Sequence, residues 1–152
     1  MVVEYGDYEC PYSRAAYREI QHVEKATPLR FVFRHFPLME IHPHALAASA
    51  AAEAAALQGG FWEMHDALFH HQRALEDKDL LAYAAQLGLD ADRFREDIVG
   101  GPVIERVRRD VESGTESGEV RGTPTLFIDG EVHRGSYDAA ALLDAIGRSA
   151  VE

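Results

Sequence analysis

The chain has 152 residues, 47% of them hydrophobic and 27% charged, with 26 acidic against 15 basic residues and a formal charge of −11. That length can bury a core within one domain, and the acidic balance argues against a nucleic-acid surface, whose affinity comes from clustered Lys and Arg. Cys10 is the single cysteine, so an intramolecular disulfide is excluded and packing alone must hold the fold.

No basic segment followed by an apolar run opens the sequence, so no leader is read there. No apolar stretch approaches the roughly 18–20 residues that cross a bilayer. The expectation is a cytoplasmic chain with no membrane segment of its own, although a chain trimmed of a leader and working outside the cytoplasm would read the same.

Residues 2–6 predict a short strand through Val2, Val3 and Tyr5 that ends at Gly6-Asp7. Cys10-Pro11-Tyr12-Ser13 then leads into a helix to about Lys25. Pro11 suits its first turn, where a missing N–H costs nothing. The first N–H groups of such a helix have no partner within it and, with the macrodipole, favour an anion. Thiol pKa values fall at helix N-termini, so Cys10 is read as a functional thiol rather than a small apolar core residue.

Thr27-Pro28 breaks the helix, and 29-LRFVFRHF-36 alternates as a second strand. His35 at its end is expected to pack the strand terminus. From Pro43 to about Gly118 the period is helical throughout. The run 45-ALAASAAAEAAAL-57 reads as a close-packed helix stopping at Gly59-Gly60. A second helix follows over 61–72, with Phe61 and Trp62 in the core of this helical block. Asp77 and Asp90 are expected N-caps of the next two helices, and a last one covers about Val103 to Ser113. Strand 125-TLFID-129 turns at Asp129-Gly130 into 131-EVHRG-135, a strong hairpin signal, and an amphipathic helix over 138–148 closes the chain.

The order β-α-β, helical block, β-β-α gives an α/β fold. Its first crossover is right-handed and parallel and its terminal hairpin antiparallel, which makes a mixed sheet with the helices inserted at its middle. Ahead of the hairpin, Thr123-Pro124 is a candidate cis bond. Such a bond would leave the Thr123 and Pro124 backbone open to an extended substrate. The eight histidines do not suggest a metal site. His42 and His44 flank Pro43, while His70 and His71 are consecutive on a helix and point about 100° apart. His65 with Glu63 makes no zinc-protease motif.

The segments VEYGDYECPY, RFVFRHFPL, IHPHA, FWEMHD and GTPTLFIDG resemble the thioredoxin superfamily, and within it the DsbA-like thiol-disulfide oxidoreductases, over nearly the whole chain. The resemblance implies a single thioredoxin-fold domain over 1–152, with a helical insertion at about 43–118. It makes Cys10 the attacking cysteine and Pro124 the cis-proline, with Thr123 and Pro124 binding substrate backbone. Glu4 falls where the family carries an acidic residue beneath the redox site, raising a nearby thiol's pKa or relaying protons. Pro11 and an exposed Tyr12 form the dipeptide that tunes the cysteine.

Ser13 departs from the family, which has cysteine there. A serine cannot form an S–S bond, so the resemblance implies a monothiol cycle. Cys10 attacks a protein or small-molecule disulfide, an outside thiol such as glutathione resolves the adduct, and Ser13 donates a hydrogen bond to the thiolate. No metal, flavin or nucleotide is implied. Three alternatives stay open: a redox-silent interaction or regulatory domain excised from a larger protein such as a sodium/proton antiporter fusion, a serine that replaces a native cysteine, and a kappa-class glutathione transferase-like protein.

Overall fold

The computed structural model describes residues 1–151. Strand β1 (Val2–Gly6), helix α1 (Pro11–Ala26) and strand β2 (Phe31–His35) come first. Five helices follow: α2 (Ala45–Ala56), α3 (Phe61–His70), α4 (Asp77–Gln86), α5 (Ala91–Asp97) and α6 (Gly101–Ser117). Strands β3 (Thr125–Ile128) and β4 (Glu131–His133) and helix α7 (Ala139–Val151) complete the chain.

The sheet order is β2-β1-β3-β4. β1 runs parallel to β2, with Val2 opposite Phe31 and Gly6 opposite His35, and antiparallel to β3, with Val2 opposite Ile128 and Tyr5 opposite Thr125. Every residue of β1 is buried, because helices cover both faces of the central strand. Val2 joins Ile20, Val23, Leu126, Ile128 and Leu142 in an apolar cluster between the sheet, α1 and α7. Tyr5 faces the other way and bonds Ser113 of α6 at 2.7 Å. The hairpin turns on Asp129 and Gly130, both at positive φ (46° and 88°), as a two-residue turn requires.

A second and larger core joins the sheet to the inserted helices, running from Tyr8, Tyr17 and Phe33 to Leu68, Phe69 and Phe94. At its centre lies α2, whose alanines at 45, 48, 50, 51, 52, 54 and 55 are all buried. Side chains that small let neighbouring helix backbones approach closely, so the alanine run is interior packing. Truncating a buried Leu or Phe of this core costs about 2–5 kcal/mol.

Several boundaries differ from the sequence expectation for local reasons. α6 extends to both sides of 103–113, because Pro102 fits its first turn and it continues until Gly118 turns left-handed (φ 72°). Glu76, not Asp77, is the N-cap of α4, and its backbone N–H donates to Asp79 Oδ2. Asp90 caps α5 as expected, accepting from Arg93 N. α3 stops at His70, which frees Gln72 for the loop around Cys10. Trp62 is 45% exposed rather than core.

Candidate active site

Cys10 is the N-cap residue of α1, with extended backbone (φ −79°, ψ 122°) and Pro11 next to it. Its own N–H closes a turn onto Asp7 O (3.0 Å), and its carbonyl accepts from Arg14 N. From the far end of α3, Gln72 Nε2 donates to both Tyr8 O (2.9 Å) and Cys10 O (2.8 Å). Tyr8 is fully buried on Phe33 and Phe69, so the loop carrying the sulfur is fixed on both sides. Tyr12 points outward, 67% exposed.

Asp7 organises the same loop. Its Oδ1 accepts from Glu9 N (2.8 Å), while Oδ2 accepts from Leu38 N (2.9 Å) and contacts His42 Nδ1 (2.8 Å). One fully buried carboxylate therefore ties the β1–α1 turn to the segment after β2. The Asp7 N–H donates to Ser13 Oγ at 3.1 Å. Ser13 is buried and its oxygen accepts from the Asp7 backbone; the bond expected from its hydroxyl to the sulfur is not among the hydrogen bonds of the described residues.

The Thr123–Pro124 peptide is cis, and the Thr123 carbonyl lies 3.5 Å from Cys10 Sγ. Two segments more than a hundred residues apart thus meet at the sulfur. The Cys10 residue is only 4% exposed, yet its nearest polar neighbour is a backbone carbonyl rather than hydrocarbon. Thr123 Oγ1 is buried and has no partner among the described residues. Tyr137, which sequence reasoning passed over, stands nearby. Its phenol is raised by burial first and then by the charges of Cys10, Tyr12 and Glu4.

Glu4 is 1% exposed, and its Oε2 has no hydrogen-bond partner among the described residues. Burial pushes the carboxyl up to about 8. It forms the floor of a cleft of about 530 Å³, whose walls include Tyr17, Glu24, Trp62, His65 and Asp66. His65 is buried beside Tyr8, with Nδ1 2.8 Å from the Tyr8 hydroxyl. Burial, and secondarily the charge of His35, pull His65 down to about 3. A neutral imidazole fits this contact in either tautomer, accepting the Tyr8 hydroxyl proton at Nδ1 or donating Nδ1–H to its oxygen.

His35, Glu53 and Asp110 bring donor atoms within 4.8 Å of one another. Their contacts already engage each other and Arg106: His35 Nε2 lies 2.8 Å from Glu53 Oε1, the His35 N–H donates to Asp110 Oδ2 (2.9 Å), and Arg106 pairs with Asp110. This is a buried cross-link between β2, α2 and α6, in keeping with the packing role expected of His35. His42, His44, His70 and His71 do not join it.

The structure therefore gathers Cys10, Pro11, Ser13, Thr123 and Pro124 at one end of the sheet, with Glu4 buried in its middle strand. Asp7, Gln72 and Tyr137 are additions. Asp7 resembled a strand-ending turn residue, and Gln72 a helix terminus.

A family model described as a DSBA-like thioredoxin domain matches residues 1–147. "Na(+)/H(+) antiporter NhaA 1" of Salinispora arenicola (strain CNS-205) is 49% identical over 148 residues, 95% of this chain and 22% of the relative. The protein of the same name from Mycolicibacterium vanbaalenii is 44% identical over 96% of this chain and 24% of its own length. The chain thus spans under a quarter of the length of these curated relatives. A solved thioredoxin-like oxidoreductase from Silicibacter pomeroyi DSS-3 superposes with a TM-score of 0.88 at 29% identity, covering 99% of this chain and 86% of that one. Oxidised BdbD from Bacillus subtilis gives 0.87 at 20% identity, over 99% and 87%, a likeness of fold alone. With a lone sulfur at the head of α1 facing the Thr123 carbonyl, and a family match that runs to residue 147, the chain belongs to the DSBA-like thioredoxin domains, a thiol-disulfide oxidoreductase family.

Proposed function

We propose that this chain is a monothiol disulfide-exchange domain. The observation that carries the reading is the pairing of Cys10 Sγ with the Thr123 carbonyl at 3.5 Å, above a buried Ser13 that offers no second sulfur. The Cys10 thiolate attacks one sulfur of a substrate disulfide. An S–S bond forms to Cys10, the substrate S–S bond breaks, and the other sulfur leaves as a thiolate. An external thiolate, glutathione by chemical class, then attacks the adduct and returns Cys10 to its starting state. The external thiol and the sulfur it captures leave as a disulfide, so electrons balance without any change in Cys10. On this reading Thr123 and Pro124 pair with substrate backbone, and Pro11, Tyr12 and Glu4 tune the sulfur.

The test is exposure of the purified chain to hydroxyethyl disulfide, followed by peptide mass mapping. The expected product is a mixed disulfide at Cys10 that persists until glutathione is added, and that Cys10→Ser abolishes. A second reading is favoured by one observation: the chain matches only 22–24% of its antiporter-named relatives. On that reading it is an interaction or regulatory domain of a longer protein. A Cys10 that forms no adduct with any disulfide would move the assignment there.

A further inference from the structure

A cleft of about 820 Å³ opens beside the head of α1, between Pro11, Arg14 and Arg18 on one wall and His70, His71 and Arg73 on the other. That volume lies within the range of small-molecule sites. The cleft abuts the thiol loop, because Gln72, which also lines it, donates to Cys10 O at 2.8 Å. Its charge is what sets it apart. Arginines on the outer helices are matched to carboxylates: Arg93 and Arg95 on α5 and Arg106, Arg108 and Arg109 on α6 all pair with Asp or Glu. Arg14, Arg18 and Arg73 have no carboxylate within 4 Å among the described residues; Arg30, Arg34 and Arg121 share that property, but these three line one cleft. Arg14 is also preset: its Nε donates to Phe69 O (3.0 Å), which fixes the guanidinium plane, and its outer nitrogens have no hydrogen-bond partner among the described residues.

We infer that this cleft recognises the carboxylates of an anionic peptide thiol or disulfide, the glutathionyl group, and directs its sulfur to Cys10. Arginine forks match carboxylates in pairs, and glutathione carries two carboxylates and one ammonium. Glu9, on the same lining, is the acceptor for the ammonium through Oε2, since its Oε1 already accepts from His44 N (2.9 Å). The inference rests on the monothiol reading and specifies its resolving thiol. When glutathione disulfide is the reactant, Cys10 forms the new S–S bond and the second glutathione leaves as its thiolate. The reverse attack regenerates both partners. An acidic protein segment next to a disulfide offers the same chemistry, so the test must separate the two sources.

Adduct formation at Cys10 is to be timed with glutathione disulfide, an acidic peptide disulfide, neutral hydroxyethyl disulfide and cationic cystamine, in wild type and in the double variant Arg18→Ala/Arg73→Ala. Both arginines are exposed, so the fold does not depend on them. The ratio of the glutathione disulfide rate to the hydroxyethyl disulfide rate is expected to fall roughly tenfold in the variant, the scale of electrostatic steering in a charged cleft. An unchanged ratio overturns the inference and leaves the monothiol reading standing. A larger loss with the acidic peptide than with glutathione overturns the free tripeptide as the source. Calorimetry with S-methylglutathione, which cannot exchange, tests the cleft alone. Binding that the variant loses supports it even if no disulfide reacts, a result that would sink the exchange reading instead. Equal binding, or none, overturns it.

Discussion

The Asp7 N–H donates to Ser13 Oγ at 3.1 Å, so the position that decides between one-thiol and two-thiol chemistry is wired to the backbone of the loop before Cys10. A sulfur at position 13 is larger and a weaker acceptor than oxygen, but it stands three residues beyond Cys10 on the first turn of α1. Ser13→Cys is expected to give a chain that oxidises to an internal 10–13 disulfide and, when reduced, reduces insulin disulfides with dithiothreitol as electron source. Wild type can form no internal disulfide and needs an outside thiol to resolve each adduct, so its turnover should be slower. A variant that stays inert would show that the surroundings of Cys10 do not support exchange, and would count against the enzymatic reading.

Two strongly displaced titrations, of Glu4 and His65, act on stability in opposite senses. Glu4, at about 8 in the fold against 4.5 unfolded, holds its proton longer when folded, so its contribution is full below pH 4.5 and is lost as pH rises toward 8. His65, at about 3 against 6.5, stays neutral when folded, so its contribution is full above pH 6.5 and is lost as pH falls toward 3. Each slope is about 1.4 kcal/mol per pH unit. Between pH 4.5 and 6.5 they cancel, and stability from urea denaturation is expected to be flat there and to fall on either side. Glu4→Gln should remove the alkaline fall and leave the acid one. An alkaline limb that persists in Glu4→Gln would show that another group carries it.

Asp7 accepts from Glu9 N and Leu38 N while fully buried, and its Oδ2 lies 2.8 Å from His42 Nδ1. Asp7→Ala leaves those part-buried backbone donors without an acceptor, at up to about 1–3 kcal/mol each, the range for a fully buried group. The variant is expected to lose several kcal/mol and to speed iodoacetamide alkylation of Cys10, because the turn that shields the sulfur loosens. Unchanged alkylation with full loss of stability would confine Asp7 to a structural role.

Much of this was legible in the chain. Alternation in 29–36, the alanine run and Asp129-Gly130 each express a local rule, and they gave the sheet, the core helix and the hairpin. Cys10-Pro11 and Thr123-Pro124 marked the two segments that meet at the sulfur. What escaped is non-local. Asp7 looked like any turn residue until Leu38 and His42 folded onto it. Gln72 looked like a helix end, and the arginines of the cleft lie on α1 and beyond α3, brought together only by the insertion. Trp62 escaped for the opposite reason: helical spacing marks a face, but it does not say whether a cleft opens beside it.

Gly6 tests how tightly the floor of the site is packed. A Cβ there would sit 2.5 Å from Phe33 Cε2 and 2.7 Å from Glu4 Oε2. Both are side-chain atoms, but Phe33 is 5% exposed within the larger core and its ring lies tilted against Tyr8 with centroids 5.0 Å apart, so it has little room to retreat. Gly6→Ala is expected to cost about 1–3 kcal/mol, the range for overpacking a filled interior. Phe33→Leu should cost a similar or larger amount alone, through the cavity it leaves. Together they should cost less than their sum, because the shorter side chain vacates the space the new methyl needs. Urea denaturation of the two single variants and the double variant measures the coupling. Strict additivity would show that the clash is relieved by backbone movement of β1 rather than by the Phe33 ring.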